Sequence, residues 1–283
     1  MRLAISNIAW DVEEDSSVAR LLNDSKIDAI DVAPGKYFPD PAKAKDDEIA
    51  KVKNWWAMNG IEITGMQALL FGTTGLNVFG STASQQALLD HLRAVCRIGA
   101  GLGATRLVFG SPKNRDRTGL NDQEALEIAA QFFGKLGDIA SQWGVKICLE
   151  PNPVCYGSNF MTTSLEAAQV VDVVSHPSIR MQLDTGAIQI NNEDIEIFLE
   201  EYSSLVGHIH ASEPALVPLG DCSTDHGAFC ASIASYLPHH IVTVEMIATK
   251  NESHIDSIKR ALNHAVRCYR LADRYNAIKF THQ

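Results

Sequence analysis

The 283-residue chain has little positive charge to offer a partner: 24 Lys and Arg stand against 34 Asp and Glu, a formal net charge of −10. Phosphate backbones and anionic bilayers demand a basic face, so nucleic acid and membrane surfaces are excluded as general partners, and a small-molecule substrate is expected. No apolar run approaches the roughly 18 residues that span a bilayer. The opening MRLAISNIAW carries one Arg and runs straight into the acidic WDVEED, which leaves no signal peptide and predicts a cytoplasmic protein. Cys96, Cys148, Cys155, Cys222, Cys230 and Cys268 show no CxxC spacing and are read as reduced and structural. Linkers, low-complexity tracts and repeats are also missing, and 46% hydrophobic content suits one core, so residues 1–283 are expected to form a single domain.

What the chain has is a regular alternation. Short β-rich runs fall near 3–8, 28–33, 61–67, 106–111, 145–150, 179–184, 206–211 and 241–246, each followed by a helical pattern. Helix starts are marked by Ser16 and Ser17, Asp46 and Asp47, Ser84, the Asn121 to Glu124 capping box, Ser164, Asn192 and Ser253. Gly60, Gly103 and Gly144 punctuate helix ends. Eight such units predict an α/β fold of the (β/α)8 TIM barrel type rather than an open sheet. The seventh is the least regular, because EPALVPLGDCSTDHGAF puts a long loop before its helix.

Four of these runs end on a potential metal ligand: Glu150 in VKICLE, Asp184 in IRMQLD, His210 in VGHIH and Glu245 in IVTVE. Their spacings of 34, 26 and 35 residues are about one strand-plus-helix unit each, so a closed barrel would bring all four to its C-terminal mouth. Parity supports this. Cys148 and Lys146 share a face with Glu150, Gln182 and Arg180 with Asp184, His208 with His210, and Thr243 with Glu245, while the apolar residues take the helix side. Three buried carboxylates beside an imidazole would repel one another without a cation.

The donor set predicts one divalent metal per chain, Mn²⁺ favoured, with Co²⁺, Mg²⁺ and Zn²⁺ as alternatives; the absence of thiolate ligands argues against structural zinc. A metal there would polarise the carbonyl of a hydroxy-ketone and stabilise an enediolate. Strands five and eight lie three steps apart round the ring, so Glu150 and Glu245 would approach the substrate from different sides as an acid/base pair. Asp184 and His210 would be ligands only.

The pieces CLEPNP, QLDTGA, HIHASEP and TVEM together resemble the xylose isomerase-like barrel superfamily, in particular its sugar phosphate isomerase/epimerase branch. The resemblance implies a metal-dependent isomerase or epimerase of a sugar or sugar derivative, phosphorylated and acidic sugars included. An inosose dehydratase-type lyase on the same site and a non-catalytic sugar-binding barrel are the alternatives. Similar proteins that act on free ketohexoses place a histidine three residues after the strand-six aspartate and an arginine six after the strand-seven histidine; this chain has Ala187 and Leu216 there. Abasic-site endonuclease relatives need that strand-six histidine and another at the end of strand three, where Gln67 stands.

Other residues near strand ends are candidates for substrate contact. Lys113 and Arg115 in GSPKNRDRTG could capture a phosphate or carboxylate, the alternative being a solvated loop. Gln67, Asn152 and Glu213 could bond substrate hydroxyls, the alternative being loop structure. His208 is expected to be a hydrogen-bonded interior residue, Asp225 a helix cap, and His226 a weaker site candidate. Trp10, Phe71, Tyr156 and Phe160 could wall the pocket, and Trp55 and Trp56 are expected to pack against the barrel or a partner subunit. Substrate identity and homo-oligomerisation stay open at this point.

Overall fold

A computed structural model describes residues 1–270. Eight parallel strands close in sequence order: β1 Leu3–Ser6, β2 Ala29–Val32, β3 Glu62–Met66, β4 Arg106–Phe109, β5 Lys146–Leu149, β6 Ile179–Asp184, β7 Val206–Ser212 and β8 Val242–Glu245. Closure is direct, with Leu3, Ala4 and Ile5 of β1 paired to Val242, Thr243 and Val244 of β8. The helices between them are α1 Asp15–Asp24, α2 Pro34–Tyr37, α3 Asp46–Met58, α4 Thr82–Leu102, α5 Asp122–Gln142, α6 Ser164–Val174, α7 Thr185–Asn191, α8 Ile195–Tyr202, α9 His226–Tyr236 and α10 His254–Ala265. The predicted strands all exist, shortened by a residue or two at most ends. No helix among the described residues is long and apolar enough to cross a membrane.

Helix boundaries follow capping chemistry. The Asn121 to Glu124 box closes reciprocally, Asn121 Oδ1 accepting from Glu124 N and Glu124 Oε2 from Asn121 N, both at 3.0 Å. Ser253 likewise caps α10. At α4 the cap is Ser81 rather than Ser84, because the Ser84 hydroxyl is bonded to Gly75 O and Asn77 N in the preceding loop. Asn192 starts no helix: it ends α7 in the left-handed region (φ 52°), and Asp194 caps α8. The short α7 is an addition to the eight expected units, and its N-cap is Asp184 itself, whose Oδ1 accepts from Ala187 N at 2.7 Å.

The interior is polar just below the mouth. Asp31 of β2, fully buried, accepts from Thr64 Oγ1 (3.0 Å), Thr243 Oγ1 (2.9 Å) and His208 Nε2 (2.6 Å), a network reaching across the barrel from β2 to β3, β7 and β8. The backbone accommodates the carboxylate at Gly65, where a Cβ would lie 2.5 Å from Asp31 Oδ1. Burial works to raise Asp31, but His208 and the donated hydrogen bonds outweigh it and hold it below the usual carboxylate range. Burial also lowers His208, so the pair is a carboxylate receiving a bond from neutral imidazole. His208 and Thr243 therefore point inward, which fixes the inward parity of His210 and Glu245 two residues on.

Candidate metal centre

Glu150, Asp184, His210 and Glu245 each present one ligand atom within 4.8 Å of all the others, at the C-terminal ends of β5 to β8. All four are buried. His210 Nδ1 stands 3.2 Å from both Glu150 Oε1 and Glu245 Oε2. Neither nitrogen of His210, nor Glu150 Oε1, makes an aligned hydrogen bond. Burial and the charges of Glu245 and Glu150 push Asp184 up to about 7. His210 is raised well above its ordinary value: burial lowers it, but the two glutamates outweigh burial. Glu245 moves the other way, since its interaction with His210 overcomes the cost of burial. Buried negative charge in excess, with unused lone pairs aimed at one point, fits a hard divalent cation.

A surrounding layer holds these side chains in place. Ser212 Oγ donates to Asp184 Oδ2 at 2.8 Å and accepts from Gly186 N at 3.0 Å. Gln67 Nε2 donates to Glu245 Oε1 at 2.7 Å. Arg115, fully buried, donates to Glu150 O (2.7 Å) and Asn152 Oδ1 (2.5 Å), while Asn152 Nδ2 reaches Glu150 Oε2 at 3.4 Å. Burial lowers the Arg115 guanidinium to about 10. Gly110 completes the setting, because a Cβ there would fall 1.9 Å from Glu150 Oε2.

The other sequence candidates separate by position. Gln67, Asn152, Phe71 and Tyr156 line a cavity of about 400 Å³ whose floor is formed by Glu150, Asp184 and Glu245. Arg115 lies behind that wall, its Nη1 and Nη2 bonded to Glu150 and Asn152 and its buried Nε without a partner, and Lys113 is exposed outside it. Glu213 is buried in the loop after β7, accepting from Gly220 N (2.9 Å) and Thr224 Oγ1, with His226 Nε2 at 3.3 Å. His226 bonds Tyr269 Oη at 2.8 Å, and Asp225 caps α9. Trp10 bonds Asp15 within the core and Phe160 packs on Phe79. Asp31 was not among the sequence candidates. The parity that exposed the other strand-end acids also marks it, as a lone carboxylate on the Ala29 and Ala33 face of β2.

A family profile described as xylose isomerase-like TIM barrel matches residues 19–268. The chain belongs to the xylose isomerase-like TIM barrel family. No curated protein matches. Similar solved barrels of this architecture include an L-ribulose 3-epimerase (16% identity, TM-score 0.82, covering 98% of this chain and 97% of that one). Another is D-psicose 3-epimerase from Clostridium cellulolyticum H10 with D-tagatose (17%, 0.79, 95% and 99%). A third is the IOLI protein with a binding zinc atom (17%, 0.75, 95% and 98%). At such identities these likenesses speak to the xylose isomerase-like fold alone.

Proposed function

We propose that this barrel is a divalent-metal-dependent isomerase or epimerase of a sugar or sugar derivative. The observation that carries the reading is the convergence of Glu150, Asp184, His210 and Glu245 at the floor of one cavity. Likeness in fold to proteins described as an L-ribulose 3-epimerase and a D-psicose 3-epimerase supports the substrate class. A bound divalent ion, Mn²⁺ by preference for this hard donor set, would supply Lewis acidity toward a carbonyl oxygen.

The residues divide the remaining work. Glu150 and Glu245 flank His210, each 3.2 Å from the same Nδ1, and approach the cavity from β5 and β8. One takes the proton from the carbon beside the carbonyl, and the other returns a proton to the opposite face. Asp184 and His210 would serve the ion as ligands only; Ser212 fixes the Asp184 carboxylate, and Gln67 fixes that of Glu245. Arg115 positions Glu150 through its carbonyl and Asn152 through its side chain.

The test is exchange of substrate α-hydrogen with D₂O, followed by NMR for ketoses and keto-sugars with Mn²⁺-loaded and chelator-treated protein. Metal-dependent exchange is expected. Turnover by the Glu150→Gln and Glu245→Gln variants at the parental rate, with metal bound, would overturn the assignment; positioned acid/base groups are typically worth about 10² to 10⁴ in rate.

A further inference from the structure

The wall of the cavity carries an inference that rests on the isomerase reading of its floor and narrows the substrate. Among the described residues, no Lys, Arg or His lines this cavity. Its three carboxylates are the floor ligands. Most of its other polar atoms are already engaged, Gln67 Nε2 with Glu245 (2.7 Å), Asn152 Oδ1 with Arg115 (2.5 Å), Ser111 Oγ with Asn114 Oδ1 (2.7 Å) and Tyr156 Oη with Ala215 N (2.7 Å), which leaves Gln67 Oε1 as a buried acceptor without a partner. What remains is apolar, chiefly Leu69, Leu70, Val108 and Leu216, with Phe71 87% exposed at the rim.

A phosphate or carboxylate in this space would meet no counter-charge. A polyhydroxylated tail would leave water for a surface that returns few hydrogen bonds. An alkyl or aryl group would gain from burial there. We propose that the ligand sets two adjacent oxygens on the floor and turns an uncharged, deoxygenated or alkyl- or aryl-substituted remainder against this wall. Leu216 is the clearest specificity determinant. Its backbone is tied by Leu216 N to Glu213 O (2.9 Å) and Ile247 N to Leu216 O (3.0 Å), and its φ of 53° lies where asparagine is well tolerated.

Three bidentate probes with one chelating head and different tails separate the possibilities: acetohydroxamate, benzohydroxamate and D-gluconohydroxamate, titrated by calorimetry into Mn²⁺-loaded full-length protein. Benzohydroxamate should bind about tenfold or more tighter than either other probe, as expected for burying a phenyl ring. Leu216→Asn should shrink that preference without weakening acetohydroxamate. Equal affinities, or a preference for the polyol tail, would overturn the inference even if sugars exchange deuterium. A phenyl preference without deuterium exchange into 2-hydroxyacetophenone or dihydroxyacetone would instead overturn the isomerase reading and leave the ligand class standing. Failure of all three probes to bind would overturn both.

Discussion

Asp184 and Arg115 show how differently two buried charges can serve one site. Asp184 is held up at about 7 by burial and two neighbouring carboxylates, a state that a divalent cation would relieve. Asp184→Asn would remove a charge from the proposed ion site and His210→Ala its imidazole. Both should lower metal content in elemental analysis, and equal content would sink the four-ligand assignment. Arg115 acts away from the ion. Truncating it to Ala leaves Asn152 Oδ1 and the Glu150 carbonyl without their donor in a dry setting, and should cost about 3 kcal/mol in denaturant unfolding. The sequence could place Arg115 near the mouth but not say which way it points. Its direction depends on Glu150 O and Asn152 Oδ1, which the loop after β5 brings to it from 35 residues or more away.

Among the elements, strands were the most legible. Each ligand strand has polar residues on one parity and apolar residues on the other, a local pattern that survives any error in the loops. Helix starts were less so: Ser84 and Asn192 have capping chemistry, but each spends it elsewhere, on Gly75 and Asn77 in one case and on ending α7 in the other. The helix that Asp184 caps was hidden because that residue already had a stronger reading as a ligand. Gly110, just past β4, gives a test at this scale. Gly110→Ala places a methyl where Glu150 Oε2 now lies, 1.9 Å away, and forces that carboxylate to move. Metal affinity should fall well before stability does, which parallel metal titration and thermal melts would reveal; unchanged affinity would mean that Glu150 is free to give way.

For the whole molecule, the proposed metal site would couple protons, metal and stability at the mouth. Burial and the neighbouring carboxylates push Asp184 up to about 7 from an ordinary value of 3.8, so the group should destabilise the metal-free fold progressively as pH rises from about 4 to 7. Metal binding would reverse this by favouring the carboxylate. Apparent Mn²⁺ affinity should therefore climb with pH, by about tenfold per unit for each proton displaced, up to about pH 7. It should keep rising above that as His210, itself raised by Glu245 and Glu150, gives up its proton. Calorimetric titrations from pH 5 to 8 measure this slope; a flat profile would mean that the four side chains do not bind the ion together.

The site is also divided around the ring. Its ligands come from β5 to β8, whereas Gln67–Phe71 and Val108–Ser111, which supply much of the wall, follow or end β3 and β4. Asn114 stitches those two loops together, donating from Nδ2 to Leu76 O at 2.8 Å and accepting at its carbonyl from Val78 N at 2.8 Å. Much of the wall can thus vary without replacing a ligand, provided that Gln67, which holds Glu245, is kept. The two loops are best exchanged as a pair, so a chimera that grafts one alone from a sister barrel inherits a broken seam, and one that carries both while keeping Gln67 and Gly110 should change the wall and leave the floor as it is.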